Sequence, residues 1–313
     1  MSRSRANLVL LLVALIWGST FVAQQWVMQD LGPFTYTGLR FLLGALVIVP
    51  MALREWRHLA ERSTRLKPAD LLAWCGLGGL LFGGIILQQI GVGATTVTNA
   101  GFLTVLYMPL VPMLAWLMLG QRPHLSLWAA VAGSLIGTLM LGGGQLTALA
   151  EGDYWILAST LFWALHVLFI GRVAADKGTP ILVALTQFLV CGIAAAAWGW
   201  LTESSSLENL RAALPAILYG GILSVGVGFT LQVVAQRHTR AVDAAVLLSA
   251  ETLFAGLAGA VLLGERLNVV QLAGCALIFV SILAVQLLPL WFDSKSSKNP
   301  RNQALTKPHH TAE

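Results

Sequence analysis

Leu15-Ile-Trp-Gly-Ser-Thr20 and Leu161-Phe-Trp-Ala-Leu-His166 are two versions of one segment, and their relation decides the fold. Trp17 falls on Trp163. After a one-residue shift, Arg40-Phe-Leu-Leu-Gly44 falls on Gln187-Phe-Leu-Val-Cys191. Further on, Leu119-Gly-Gln-Arg122 falls on Leu263-Gly-Glu-Arg266, and the same offset sets Asn99 against Asp243 and Tyr107 against Glu251. The chain is an internal duplication, and each copy must be read as one structural unit.

Working outward, the surroundings of these segments are apolar. Of the 313 residues, 57% are hydrophobic and 11% are charged, against roughly 25% charged in a soluble globular chain. So little charge cannot cover a soluble surface, and so much apolar area excludes extended disorder. The mean hydropathy of +0.77 agrees. The apolar runs are long and continuous, unlike the alternating ten-residue segments of an outer-membrane barrel. Ten runs of about 20 residues, enough for a hydrocarbon core of about 30 Å, are predicted at 8–28, 34–53, 69–91, 97–119, 125–143, 152–171, 180–201, 213–236, 242–263 and 269–291. Pro33, Pro68, Pro180 and Pro215 stand near span starts, where a missing N–H costs little. Pro109 and Pro112 should bend the fourth span. Met1-Ser-Arg-Ser-Arg5 imitates a signal peptide, but the apolar run behind it is too long for one and reads as a retained span.

The expected fold is an all-α polytopic membrane protein. A short cytoplasmic N-terminus (1–7) precedes a first five-helix repeat (8–143) and a second five-helix repeat (152–291), and a polar, disordered cytoplasmic tail (292–313) follows. Basic residues orient it. With the N-terminus inside, 16 of the 19 Lys and Arg residues lie on inside segments, while Arg211 and Arg266 lie outside and Arg40 within a span. Both termini are therefore expected in the cytoplasm. The net charge of +5 reflects this topological bias rather than a nucleic-acid partner. Five spans per copy is odd, so the second copy enters the membrane from the opposite side. Two homologous bundles of opposite orientation are the inverted-repeat architecture of secondary transporters.

In span number, duplication and motif positions, the chain resembles the drug/metabolite transporter superfamily in its ten-helix EamA-type branch. The likeness rests on Ile16-Trp-Gly-Ser-Thr-Phe21, Leu39-Arg-Phe-Leu-Leu-Gly44, Pro109 and Leu119-Gly-Gln121, with Glu251 and Leu263-Gly-Glu265 in the second half, and covers about residues 8–291. It implies alternating-access transport of small solutes. Within the superfamily the chain is similar to bacterial exporters of amino acids and related metabolites, the YddG type, of the inner membrane. That implies amino-acid export, aromatic or otherwise neutral. The alternatives are another small solute (a drug, a nucleotide-like or a sugar-derived metabolite) or a membrane sensor. Gln121, where many first halves carry Glu, and Leu165-His166, in place of the Ser-Thr pair, depart from the pattern.

A solute site is expected near mid-membrane, between the repeats. Depth along the helices puts Trp17 and Thr20 in span one, Gln88 in span three, Tyr107 in span four, Trp163 and His166 in span six, Gln232 in span eight and Glu251 in span nine into one lined cavity. Indole and amide groups would suit a zwitterionic or aromatic solute. Each has a plainer role open to it: helix packing for the tryptophans, interhelical bonds for the glutamines, a bond to its own helix for Thr20. Asn99 and Asp243 begin their helices and read as N-caps. Arg40, His166 and Glu251 are the titratable or charged groups that the spans retain. A charge near mid-membrane costs about 2.5–3.5 kcal/mol on insertion scales, so these residues are the candidates for charge coupling. Glycines at 76, 78, 79, 83 and 84 and at 220, 221, 226 and 228 would let helices approach and rock.

Other classes lack their signatures. There is no Gly-x-Ser-x-Gly, no His-Glu-x-x-His and no catalytic constellation, so an enzyme is not expected. Cys75, Cys191 and Cys275 have no metal-ligand spacing. No metal, cofactor or nucleotide-binding loop is expected, nor an obligate protein partner. The expected partners are the bilayer and a small-molecule substrate.

Overall fold

The computed structural model describes residues 1–62, 64–95, 97–122, 125–141, 150–262 and 268–297. The motif from Leu263 to Arg266 lies outside them, as does the side chain of Asn99. The regular elements among the described residues are all helices, with no strand: α1 (Arg3–Val27), α2 (Pro33–Glu61), α3 (Pro68–Gly93), α4 (Val97–Thr104), α5 (Tyr107–Leu119), α6 (Leu125–Leu141), α7 (Glu151–Asp176), α8 (Pro180–Thr202), α9 (Leu207–Leu218), a π-helical segment (Tyr219–Phe229), α10 (Thr230–Gln236), α11 (Ala241–Leu248), α12 (Ala250–Leu262) and α13 (Val269–Ser297). Eight helical stretches are long and apolar enough to cross a membrane, and Leu127–Met140 and Val269–Ala284 are shorter apolar helices. The helix α13 continues through Ser297, so residues 292–297 are helical where the sequence predicts the start of a disordered tail.

Local chemistry explains the boundaries. Pro33, Pro68 and Pro180 open α2, α3 and α8, where their fixed φ suits a first turn. Pro215 does not; Ser206 caps α9 through the Asn209 N–H, so Pro215 is interior to it and removes one backbone bond just before the helix widens into the π segment. The fourth rod breaks between α4 and α5. Pro109 offers no N–H to the Val105 carbonyl, which accepts instead from Met108 at 2.8 Å. The matching rod breaks at Ser249, between α11 and α12, with no proline present. There the Ser249 and Thr252 hydroxyls take the carbonyls of Val246 and Ser249, at 2.7 and 2.9 Å.

The two repeats interleave. The most extensive packing runs between halves: α2 along α8, α3 along α7, α6 along α13 and α1 along α12. Glycines permit these approaches. A Cβ on Gly38 would stand 2.7 Å from Ala196 Cα, one on Gly137 2.7 Å from the Gly274 carbonyl oxygen, and one on Gly18 2.6 Å from the Glu251 carbonyl oxygen. Gly76 and Gly79 have nothing within 4 Å, so only part of the glycine cluster in α3 serves packing.

Reciprocal caps tie the ends of α2 and α8. Glu203, at the end of α8, accepts from Phe34 N and Thr35 N at the start of α2, at 2.9 and 2.8 Å. Glu55, near the end of α2, accepts from Leu182 N at the start of α8, at 2.7 Å. A second symmetric pair joins helix starts to loops: Thr95 Oγ1 donates to Asp153 Oδ1 at 2.6 Å, and Thr239 Oγ1 donates to Asn7 Oδ1 at 2.9 Å. Thr95 and Thr239 stand at the offset of Tyr107 and Glu251, and Asn7 and Asp153 at that of Trp17 and Trp163. Both ends of the bundle are latched in the same manner.

A candidate solute cavity between the repeats

The two helix breaks and the two indoles meet at the centre. Tyr107 and Glu251 each lie in the first turn after a break, and both line a cavity between the repeats. Trp17, Arg40, Gln88, Trp163 and Gln232 line it too. The structure therefore gathers seven of the sequence-predicted positions around one space. The other two lie elsewhere. The hydroxyl of Thr20 turns back to the Ile16 carbonyl at 2.7 Å, and His166 shares a 2.6 Å hydrogen bond with Gln187 Oε1 away from the cavity wall. Since an amide oxygen only accepts, His166 Nε2 carries the hydrogen.

Sequence position alone did not single out Phe229, yet it is the hub of the aromatic wall. Its ring stacks on Trp163 at 6.1 Å and 16°, and leans on Trp17 at 4.5 Å and on Phe41 at 5.6 Å. A phenylalanine inside an apolar run carries no marker of such a role. Phe21, Gln24 and Ser224 complete the missed part of the lining that bears on the chemistry.

The indoles rest on glycines in a crossed manner. A Cβ on Gly84 would meet the Trp163 ring at 3.1 Å, and one on Gly228 would meet Trp17 Nε1 at 2.9 Å. Each tryptophan leans on the third rod of the opposite repeat. Gly84 and Gly228 stand at the same offset as Gln88 and Gln232. The polar bonds, however, are unequal. Trp163 Nε1 donates to Gln88 Oε1 at 2.8 Å. Trp17 Nε1 instead reaches the Ser224 carbonyl at 3.4 Å, and both polar atoms of the Gln232 amide are buried with no partner. The pseudo-symmetry is kept in position and broken in bonding.

Two ionisable groups of opposite sign sit in this low-dielectric space. Arg40 is 1% exposed and Glu251 5% exposed. They do not pair with each other, and among the described residues neither has a partner of opposite charge within 4.0 Å. An isolated charge of this kind is costly and persists where a ligand or water compensates it. Asp243, by contrast, is fully paired rather than a simple cap. It accepts from Arg240 Nε and Nη2 at 2.9 and 3.0 Å and from Arg3 Nη2 at 2.8 Å. That hydrogen bond holds the Arg240 guanidinium above its ordinary range. No cluster of three or more His, Cys, Asp or Glu able to hold a metal occurs among the described residues.

Known proteins share this plan. The family model described as the EamA-like transporter family matches residues 4–143 and 150–287, one match per repeat. An uncharacterized transporter of Archaeoglobus fulgidus is 30% identical over 285 residues, 91% of this chain and 87% of the relative. The uncharacterized inner membrane transporter YicL of Salmonella typhimurium is 24% identical, covering 91% of this chain and 96% of the relative. A solved crystal structure aligns with a TM-score of 0.76 at 22% identity, covering 92% of this chain and 97% of that one, a likeness of fold.

Proposed function

The chain belongs to the EamA-like transporter family, and from that premise we propose that it exports amino acids, aromatic or otherwise neutral, by alternating access. It is a multi-pass membrane transporter, as its relatives are, and not an enzyme. The finer reading is ten spans with both termini in the cytoplasm, in a bacterial inner membrane, in the manner of the YddG-type exporters. Inner membrane transporters among the relatives and the clustering of basic residues support it.

One observation carries the transport reading: the symmetric site with unequal bonding. The Trp163–Gln88 bond has a positional twin in Trp17 and Gln232, and the twin is open. Exchange of these roles, with Trp17 bonding Gln232 while Trp163 releases Gln88, turns one state into its inverted counterpart at little cost in bonding. An inverted repeat with such a pair has two nearly equivalent conformations available to it. Of the three residues expected to couple charge, Glu251 is the carboxylate in the cavity wall, while His166 lies outside that wall and bonds Gln187.

The experiment is uptake into proteoliposomes from a panel of labelled amino acids, with and without a pH gradient. Saturable movement of phenylalanine, tryptophan or another neutral member is the expected result. No movement of any solute in the panel would overturn the reading. Glu251→Gln, which keeps the shape and removes the charge, is expected to change the response to the gradient.

A further inference from the structure

The cavity wall holds two ionisable groups of opposite sign to which the described residues offer no ionic partner, together with amide groups that those residues do not satisfy. Arg40 projects from α2 beside two aromatic rings. Its guanidinium carbon lies 4.8 Å from the Tyr36 ring centre and 5.5 Å from that of Phe41. One edge nitrogen, Nη2, makes a long 3.4 Å bond to Gln89 Oε1, and Nε has no partner. Gln89 is neutral and is itself fixed by donating Nε2 to the Gln24 carbonyl at 3.2 Å. It orients the guanidinium without cancelling its charge. On the same cavity, Glu251 receives no hydrogen bond or ion pair from the described residues, and Gln232 and Gln24 Oε1 are unpartnered.

Resting on the reading of this cavity as the solute site, we propose that Arg40 is its carboxylate subsite and Glu251 its ammonium subsite, so that the cargo is an α-amino acid bound as a zwitterion. A cation would neutralise Glu251 and leave Arg40 buried and alone. An anion would do the reverse. A zwitterion compensates both at once, and its side chain meets the rings of Trp17, Trp163 and Phe229. The planar guanidinium fork matches the two oxygens of a carboxylate. Gln89 is a positioning residue for that fork. Gln232, with donor and acceptor both free, can meet either end of the same molecule.

The test compares L-phenylalanine with L-phenylalaninamide, which lacks the carboxylate, in proteoliposomes of wild type, Arg40→Gln and Arg40→Lys. Wild type is expected to favour phenylalanine by at least about tenfold in kcat/KM, since a site built for a polar group rejects analogues that lack it. Arg40→Gln should abolish that preference by slowing phenylalanine while the amide, no longer leaving a buried cation uncompensated, moves at least as fast as before, which also shows that the variant is folded. Arg40→Lys, with charge but no fork, should fall between the two, mainly through KM. An equal fall for both compounds in Arg40→Gln, or an unchanged preference, would overturn the carboxylate subsite while leaving the transport reading intact. Wild type that moves neither compound nor any other amino acid would overturn both.

Discussion

The indole of Trp163 and the amide of Gln88 form the most specific side-chain contact in the cavity wall. Gln88→Leu strands a buried N–H, at a cost of about 1–3 kcal/mol, and should lower the thermal midpoint in detergent. Gln232→Leu removes an amide with no partner. It should leave stability unchanged or improved, yet slow transport, because the inverted state loses its Trp17 partner. Equal destabilisation by the two substitutions would contradict the broken symmetry. Much of this site was legible in the sequence. Trp17, Gln88, Tyr107, Trp163, Gln232 and Glu251 were identified by depth and by their partners in the repeat. Thr20 and His166 share that depth but not the wall, because depth along a span does not say which face of the helix meets the cavity. Phe229 and Gln89 were missed for a different reason. An apolar ring among apolar residues carries no sequence signal, and Gln89 matters only through Arg40.

Helix ends and helix crossings give the next tests. Replacing the carboxylate that caps α2, Glu203→Ala, should cost about 0.5–2 kcal/mol, the range for a lost N-cap, measured by unfolding in detergent; Glu55→Ala should act alike at the other end. No change in either would remove the reciprocal caps from the account. Gly18→Ala places a Cβ 2.6 Å from the Glu251 carbonyl oxygen, a backbone atom that cannot swing aside. It should push α1 from α12 and impair transport. Gly76→Ala meets nothing within 4 Å and should stabilise by roughly 0.5–1 kcal/mol through helix propensity. The prolines showed where the fourth rod breaks. Its twin break at Ser249 and the π segment were not legible, since hydroxyl-to-carbonyl bonds and a widened turn leave no periodic mark.

At the level of the whole molecule, the duplication foretold two equivalent halves but not how they interleave. Their closest packing is with each other, so neither half holds a core of its own apart from its partner. The cavity belongs to both, and latches of one chemistry, Thr95 with Asp153 and Thr239 with Asn7, close the two ends. Weakening one latch should favour opening at that end: Thr239→Val is expected to raise labelling of a cysteine introduced in the cavity wall from the membrane face nearer Thr239, and Thr95→Val from the opposite face. The central claim is that one cavity serves both sides of the membrane in turn. Trans-stimulation measures this most directly. Proteoliposomes loaded with labelled phenylalanine are followed with and without unlabelled phenylalanine outside. Efflux that accelerates severalfold when outside solute can carry the cavity back is the expected result. Efflux that is indifferent to outside solute would contradict alternating access through this site.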